Sequence, residues 1–383
     1  MSQLSLDGQR HVPKKTIFIV VGSLRVGGTE GSAYSLAKML TGFGHHVMLV
    51  ALESVNELVE DESVQVEYLV HHQVNWNRIS RVPVVRSVFF LTKQLIGAKR
   101  FRTMLVKSDP NPVVIAFGAT VAVWSHFVLI GLRVTKWGFE RNHPDSRIRG
   151  HGFLTSLLRP FIYNHGTSCL VQTGEQSNWI LREWQVSSQV VPNHLVIPEI
   201  DRNQVEGQIR MRFFARRVIW IGRDSNQKNL PLLLEVVRVA RSTNSNLEFL
   251  ILGVAPSSKT SLQLIHEGAI VCGRTQAVSE YLDSSSLLLS TSRFEGFPNV
   301  VIEALHRGLP VVSTPSTSLF DEWIESGAVS IQQDSCPRGL VTRIVNYLED
   351  LDEYSESARK SHNLSLRYSK KSMLEVWSGL LGK

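Results

Sequence analysis

Short apolar runs rich in β-branched residues recur along the chain, and polar or amphipathic stretches separate them. TIFIVVG (16–22), HVMLVALE (46–53), VQVEYL (64–69), VVIAFG (113–118) and TKWGFE (135–140) come first. SCLVQTG (168–174), SQVVPN (188–193), RVIWIGR (217–223), LEFLILG (247–253), GAIVCGR (268–274), SLLLSTS (286–292) and PVVST (310–314) follow. Each has the length of a strand buried on both faces, and helical patterns such as TEGSAYSLAKMLTGFG (29–44) and NLPLLLEVVRVARST (229–243) lie between them. Strands alternating with helices predict parallel sheets joined by right-handed crossovers. VVPNHLVIPEI (190–200) closes a first set of strands, and the polar stretch DRNQVEGQIRMRFFARR (201–217) reads as a linker into a second. The pattern therefore predicts two doubly wound domains facing a central cleft, with ligands at the carboxyl ends of the strands.

A length of 383 residues suits two domains, and 43% apolar residues suit a buried core. The net charge of +7 favours anionic partners such as nucleotide diphosphates, lipid phosphates or nucleic acid. Cys169, Cys272 and Cys336 form neither a disulfide framework nor a zinc knuckle, which points to a reducing cytoplasm. The N-terminus lacks an apolar signal core. Residues 113–132 carry no formal charge and reach about the length of a membrane span, but Gly118 and Thr120 divide them into a strand-like and a helix-like half.

Three segments carry candidate chemistry. In VVGSLRVGGTEGSAYSLAKML (20–40), a strand meets Gly22, and then Gly27, Gly28 and Gly31 flank a helix start. Such a loop can bring backbone amides to an anion or serve as a plain flexible turn; dinucleotide and P-loop fingerprints both fail. In RVIWIGRDSNQKNLPLLLEVV (217–237), Gly222 ends a strand and Arg223 and Lys228 stand in the following loop, where two cations suit a diphosphate. In SRFEGFPNVVIEALHRG (292–308), Asn299 can cap a helix that stops at Gly308. Glu295 then lies in the loop and Glu303 about one turn inside the helix, with the amides of residues 296–300 facing a phosphate. Carboxylates accept paired hydroxyls well, as a ribose or hexose diol supplies them.

Together these pieces resemble a GT-B fold retaining glycosyltransferase of family 4, the glycosyl transferases group 1, of bacterial surface-glycan type. RFEGFPNVVIEAL is similar to that family's E-x7-E motif and IGRDSNQKN to its G-R-x-x-x-x-K-N segment; LVQTGEQSNWI, VVPN and GGTE match further pieces, from about residue 16 to 330. The resemblance implies that Glu303 binds the nucleotide ribose and that Glu295 faces the donor sugar. It gives Arg223 and Lys228 the diphosphate, with Gly222, Gly296, Phe297, Asn299 and Val300 around it. Gly27 and Gly28 would line the phosphate and acceptor side. WGFERNHPDS (137–146) resembles the E-R-N-x-P segment of members that build surface glycans, which nominates Arg141 for the cleft with Glu140, Asn142 and His143 nearby; the other reading pairs Arg141 with Glu140 or a neighbouring acid. Implied domains are 1–198 on the acceptor side, with a C-terminal helix at about 368–383 packing back on it, and 199–367 on the nucleotide-sugar side.

The activity so implied is transfer of a hexose or N-acetylhexosamine from a UDP-sugar to a glycan or lipid-linked acceptor of lipopolysaccharide, capsule or exopolysaccharide, without metal. Rivals are a sugar-nucleotide epimerase on the same fold and a basic lipid- or RNA-binding protein; no RNA-module signature is present. Residues 74–108 hold eight basic residues, no acid, and an apolar spacing at 88, 91 and 95, which suits peripheral contact with an anionic membrane or a solvated face. Asp350-Leu-Asp352 is formally a D-x-D but stands in an acidic helical run, so it reads as an exposed face.

Overall fold

The computed structural model describes residues 14–24, 28–54, 63–70, 83–141, 153–243 and 245–382. The chain forms two compact units, one of Met1–Pro192 with Met373–Lys383 and one of Asn193–Ser372. The first contains β1 (Thr16–Val21), α1 (Gly28–Gly42), β2 (His46–Glu53), β3 (Gln65–Val70), α2 (Pro83–Val106), β4 (Val113–Phe117), α3 (Ala119–Val128), β5 (Thr135–Phe139), α4 (Phe153–Asn164), β6 (Ser168–Val171), α5 (Gly174–Trp184) and β7 (Ser188–Val190). Its parallel sheet runs β3-β2-β1-β4-β5-β6-β7.

Alternation along β1 assembles both layers. Ile17, Ile19 and Val21 point into a cluster with Leu36 and Leu40 of α1, whereas Phe18 and Val20 point into another with Phe101, Ile162 and Ile180. The long uncharged stretch splits at Gly118 into β4 and α3, and among the described residues no helix is long and apolar enough to cross a membrane.

The second unit contains α6 (Arg202–Ala215), β8 (Arg217–Ile221), α7 (Leu230–Ser242), β9 (Glu248–Leu252), α8 (Lys259–His266), β10 (Ile270–Gly273), α9 (Val278–Asp283), β11 (Leu287–Ser290), α10 (Asn299–His306), β12 (Val311–Ser313), α11 (Leu319–Glu325), β13 (Val329–Ile331), α12 (Pro337–Tyr347) and α13 (Leu351–Ser365). The parallel sheet order is β10-β9-β8-β11-β12-β13. Counted from β8 this is the 3-2-1-4-5-6 order of a dinucleotide-binding domain, so the strand order reverses between β8 and β11, where such sheets take ligands. Val218 and Trp220 pack on one face, and Ile219 and Ile221 on the other. The last helix, α14 (Lys370–Leu381), sends Met373, Trp377, Leu380 and Leu381 into the first unit's core, with Trp377 6.2 Å from Trp137 and 6.4 Å from Phe139.

Two sequence expectations change. The polar stretch 201–217 is a helix rather than a linker: Asp201 and Gln204 form a reciprocal capping box, and Val205, Ile209 and Phe213 bury one face at i, i+4, i+8 spacing. The crossing between units falls at 192/193 instead of 198/199, because Leu195 and Ile197 are buried in the second unit's core and the Leu195 amide donates to the Tyr368 carbonyl at 2.9 Å.

Candidate active site

The site grows from the reversal point of the second sheet. β8 ends at Gly222, where a Cβ would stand 2.8 Å from the Trp220 ring and 3.1 Å from Cγ of Lys228. After β9, Gly253 has φ +91°, and a Cβ there would lie 2.4 Å from the Gly222 carbonyl oxygen. Only glycine at these two positions lets neighbouring strand ends close up and lets the Lys228 stem pass over them. The Lys228 and Asn229 amides both donate to the Ser225 carbonyl, at 3.1 and 3.3 Å, which folds the loop back before α7.

A second loop, from β11 to α10, is stitched to the first. Trp220 Nε1 donates to Thr291 Oγ1 at 2.9 Å, and that hydroxyl donates to the Lys228 carbonyl at 2.8 Å. The Arg293 amide donates to the Gln227 carbonyl at 2.8 Å. Glu295 is thereby held between the loops. Lys228 Nζ donates to its Oε1 at 2.7 Å, Gln227 Nε2 to its Oε2 at 3.1 Å, and its own amide donates to the Ser316 carbonyl at 2.7 Å. The Glu295 side chain is 9% exposed and that of Lys228 23%, whereas Arg223 stands exposed at the loop's start. Trp220, Lys228, Ser292, Glu295, Pro298 and Val300 border a small pocket here.

The α10 end differs from expectation in three ways. Pro298, not Asn299, is the N-cap residue; Asn299 is the first helical residue, and its Oδ1 accepts from Asn193 Nδ2 at 2.6 Å. Phe297 is turned into the core, edge-on to Tyr368 at 5.7 Å between ring centroids, so its ring packs the domain. Of the five amides expected to face a phosphate, Pro298 has none and that of Asn299 donates to the Phe297 carbonyl at 3.0 Å, which leaves Gly296, Phe297 and Val300 as candidates.

Glu303 sits one turn into α10, half-buried, and burial pushes its carboxyl from the ordinary 4.5 up to about 7, with Lys228 pulling the other way. A raised folded-state value means that the folded chain binds this proton more tightly than the unfolded one. The carboxylate therefore costs stability as pH rises from about 4.5 to 7, and the full cost stands above 7. Glu303→Gln should be more stable than the parent by about 2 kcal/mol at pH 8 and equal to it near pH 4, read by urea denaturation. Equal stability of the two at pH 8 would show a carboxylate that ionises as it does in water.

The first unit holds the remaining sequence-predicted residues. Gly28 opens α1, while Gly27, Asn142 and His143 lie outside the described residues. Glu140 does not pair with Arg141. It is 2% exposed and accepts from Arg159 Nε at 3.1 Å, Arg159 Nη2 at 2.7 Å and the Tyr163 hydroxyl at 2.7 Å. Arg141 instead lies over the Phe117 and Phe139 rings at 5.2 and 4.9 Å, at the ends of β4 and β5. Burial lowers its guanidinium to about 9, against the opposing charge of Glu30 near the start of α1. Arg141 thus stands at the carboxyl ends of β4 and β5.

Part of the basic segment has inward work. Arg100 donates to the Leu69 carbonyl at 3.1 Å and pairs with Glu67 at 3.4 Å, and Arg102 donates to the Val128 and Ile130 carbonyls at 2.6 and 2.9 Å. Leu95, Ile96 and Lys99 remain exposed on α2, while residues 74–82 and the side chains of 83–93 lie outside the description. Asp350 caps α13, its Oδ1 accepting from the Asp352 and Glu353 amides at 2.8 and 3.0 Å, so the D-x-D serves a helix start. Gln227, Trp220, Thr291 and Ser316 join the site without being among the residues expected there. A tryptophan inside an aliphatic strand was the one visible signal, and the roles of the others exist only once the loops meet.

Comparison with known proteins gives concordant matches. Residues 215–350 match the family model described as glycosyl transferases group 1. The amylovoran biosynthesis glycosyltransferase AmsD of Erwinia amylovora is 24% identical over 379 residues, covering 96% of this chain and 99% of its own. Among solved structures, a mutant of S. aureus TarM in complex with fondaparinux, alpha-GlcNAc-glycerol and UDP aligns over 96% of this chain and 100% of its own, with TM-score 0.76 and 14% identity. WaaG, a glycosyltransferase involved in lipopolysaccharide biosynthesis, aligns over 95% and 99%, with TM-score 0.70 and 15% identity.

Proposed function

From the premise that the chain is a group 1 glycosyltransferase of glycan biosynthesis, we propose that it moves a hexose or N-acetylhexosamine from a UDP-sugar, with retention, to a glycan or lipid-linked acceptor of a surface polysaccharide. The observation that carries this reading is the cluster of Lys228, Glu295 and Glu303 at the strand-order reversal between β8 and β11. Arg223 and Lys228 neutralise the leaving diphosphate, with the amides of Gly296 and Val300 beside them. Glu303 accepts the ribose hydroxyls and Glu295 the hydroxyls of the sugar. Gly28 and Arg141 serve the acceptor side from the first unit. In retention by front-face attack the leaving phosphate accepts the acceptor's proton, which asks of the protein charge stabilisation rather than a base. UDP as the nucleotude's identity is supported by the UDP in the TarM complex and by the E-R-N likeness.

In this reading Arg223 and Lys228 neutralise the diphosphate in place of a metal, and transfer needs none. Nucleotide release from a panel of UDP-, GDP- and ADP-sugars, measured with a glycan-lipid extract as acceptor and with EDTA in parallel, tests the whole reading. Release from a UDP-sugar, unchanged by EDTA, is expected. Loss of turnover in EDTA and recovery with Mn²⁺ would overturn metal independence, and epimerised sugar in place of released nucleotide would favour the epimerase.

An acceptor with a lipid anchor presents its reactive end at the bilayer surface, and we place the enzyme there, at the cytoplasmic face. Exposed Leu95 and Ile96 beside Lys99 on α2 support a reversible contact. Each basic residue near an anionic surface contributes about 1 kcal/mol within a Debye length. Co-flotation with phosphatidylglycerol vesicles should occur at low salt and disappear at molar salt; its absence at low salt would remove the membrane from the model.

A further inference from the structure

Glu295 receives two donors from consecutive residues, one charged and one neutral, and they are anchored differently. The Gln227 amide is tied to the loop that carries Glu295, because its Nε2 donates to the Phe294 carbonyl at 3.0 Å as well as to Glu295 Oε2. The stem of Lys228 is wedged over Gly222, while its ammonium at the far end is the more exposed member of the ion pair. That ammonium carries a single positive charge, so a diphosphate that arrives beside it competes with the Glu295 carboxylate for the same cation.

Resting on the nucleotide-sugar reading above, we infer that Lys228 changes partners during the cycle: it holds Glu295 in the empty site and passes to the diphosphate when the donor binds. Gln227 is the positioning residue that keeps Glu295 in place after the ammonium leaves. The exchange keeps the buried Glu295 neutralised while the site is empty and releases its acceptor lone pairs only when a sugar arrives to use them. It also sets a cost on binding any diphosphate, because Lys228 must first be drawn from its carboxylate.

The cost has a sign that a purely structural ion pair would not produce. Glu295→Gln keeps the side chain's shape and removes the competing charge, so it should bind UDP about three- to tenfold more tightly than the parent by calorimetry while transferring sugar more slowly. UMP, with no second phosphate, should bind both proteins alike, and the gain should vanish in the Lys228→Met background. Gln227→Glu adds a second carboxylate at the pair and should weaken UDP. Gln227→Ala should keep UDP affinity within about twofold and lose about tenfold in kcat/KM for the sugar donor, since only the placement of Glu295 is lost.

Unchanged or weaker UDP binding by Glu295→Gln, equal gains for UMP and UDP, or a gain that persists in Lys228→Met would each overturn the exchange. A Gln227→Ala variant that loses UDP affinity together with transfer would remove Gln227 as a positioning residue. If the parent binds none of UDP, GDP and ADP, the nucleotide-sugar reading falls and takes the exchange with it. If the parent binds UDP and turns over but Glu295→Gln gains nothing, the exchange alone falls.

Discussion

Arg159→Met should lower the stability of the first domain by about 3–5 kcal/mol and its melting temperature by about 10 °C. The side chain is fully buried and holds Glu140 through two nitrogens, with its guanidinium 4.8 Å from the Trp184 ring centroid. Among the described residues, removing it leaves the buried Glu140 carboxylate with the Tyr163 hydroxyl as its side-chain donor. Glu140→Leu combined with Arg159→Met should cost less than either change alone, because no charge is stranded. Thermal melts followed by circular dichroism read both effects. A parent-like melting temperature together with lost turnover would return Glu140 to the catalytic machinery and overturn its assignment as a core partner of Arg159.

Lys228→Ala should reduce kcat by about 10²–10³-fold, and Arg223→Ala by about tenfold. In the proposed transfer, charge develops on the leaving diphosphate in the transition state, and the Lys228 ammonium is the cation whose stem the surrounding fold fixes in place. Arg223 is exposed, so water screens part of its contribution. Both variants should melt within a few degrees of the parent. Steady-state kinetics with a single UDP-sugar decide the matter, and turnover at the parent rate by both would refute the diphosphate assignment.

The sheets were legible because parallel strands covered on both faces need unbroken apolar runs, and such runs were there to read from 16–22 through 310–314. β13 escaped because Ser330 interrupts Val329–Ile331, which leaves no unbroken apolar run. α6 escaped because three apolar positions four apart are diluted among charges, although its capping pair, Asp201 and Gln204, was visible in the sequence. Glu295, Lys228 and Glu303 could be named from local spacing, and the fold does bring Glu295 and Lys228 into contact. Glu140 could not be judged in the same way: its partner lies 19 residues away on α4, and only the pairing of β5 with β6 fixes where that helix returns. Gln227 gave no signal, since an amide between two loops has meaning only when both loops are in place.

The chain leaves its first domain at Pro192 and re-enters it at Met373. On the ribosome, the 180 residues of the second domain therefore emerge complete, with Leu195 and Tyr368 able to join their two ends, while the first still lacks Trp377. The first domain to begin synthesis is the last able to close. Its nascent sheet waits with an uncovered apolar face through the translation of its neighbour, a window in which a chaperone, or a second nascent chain, has something to hold.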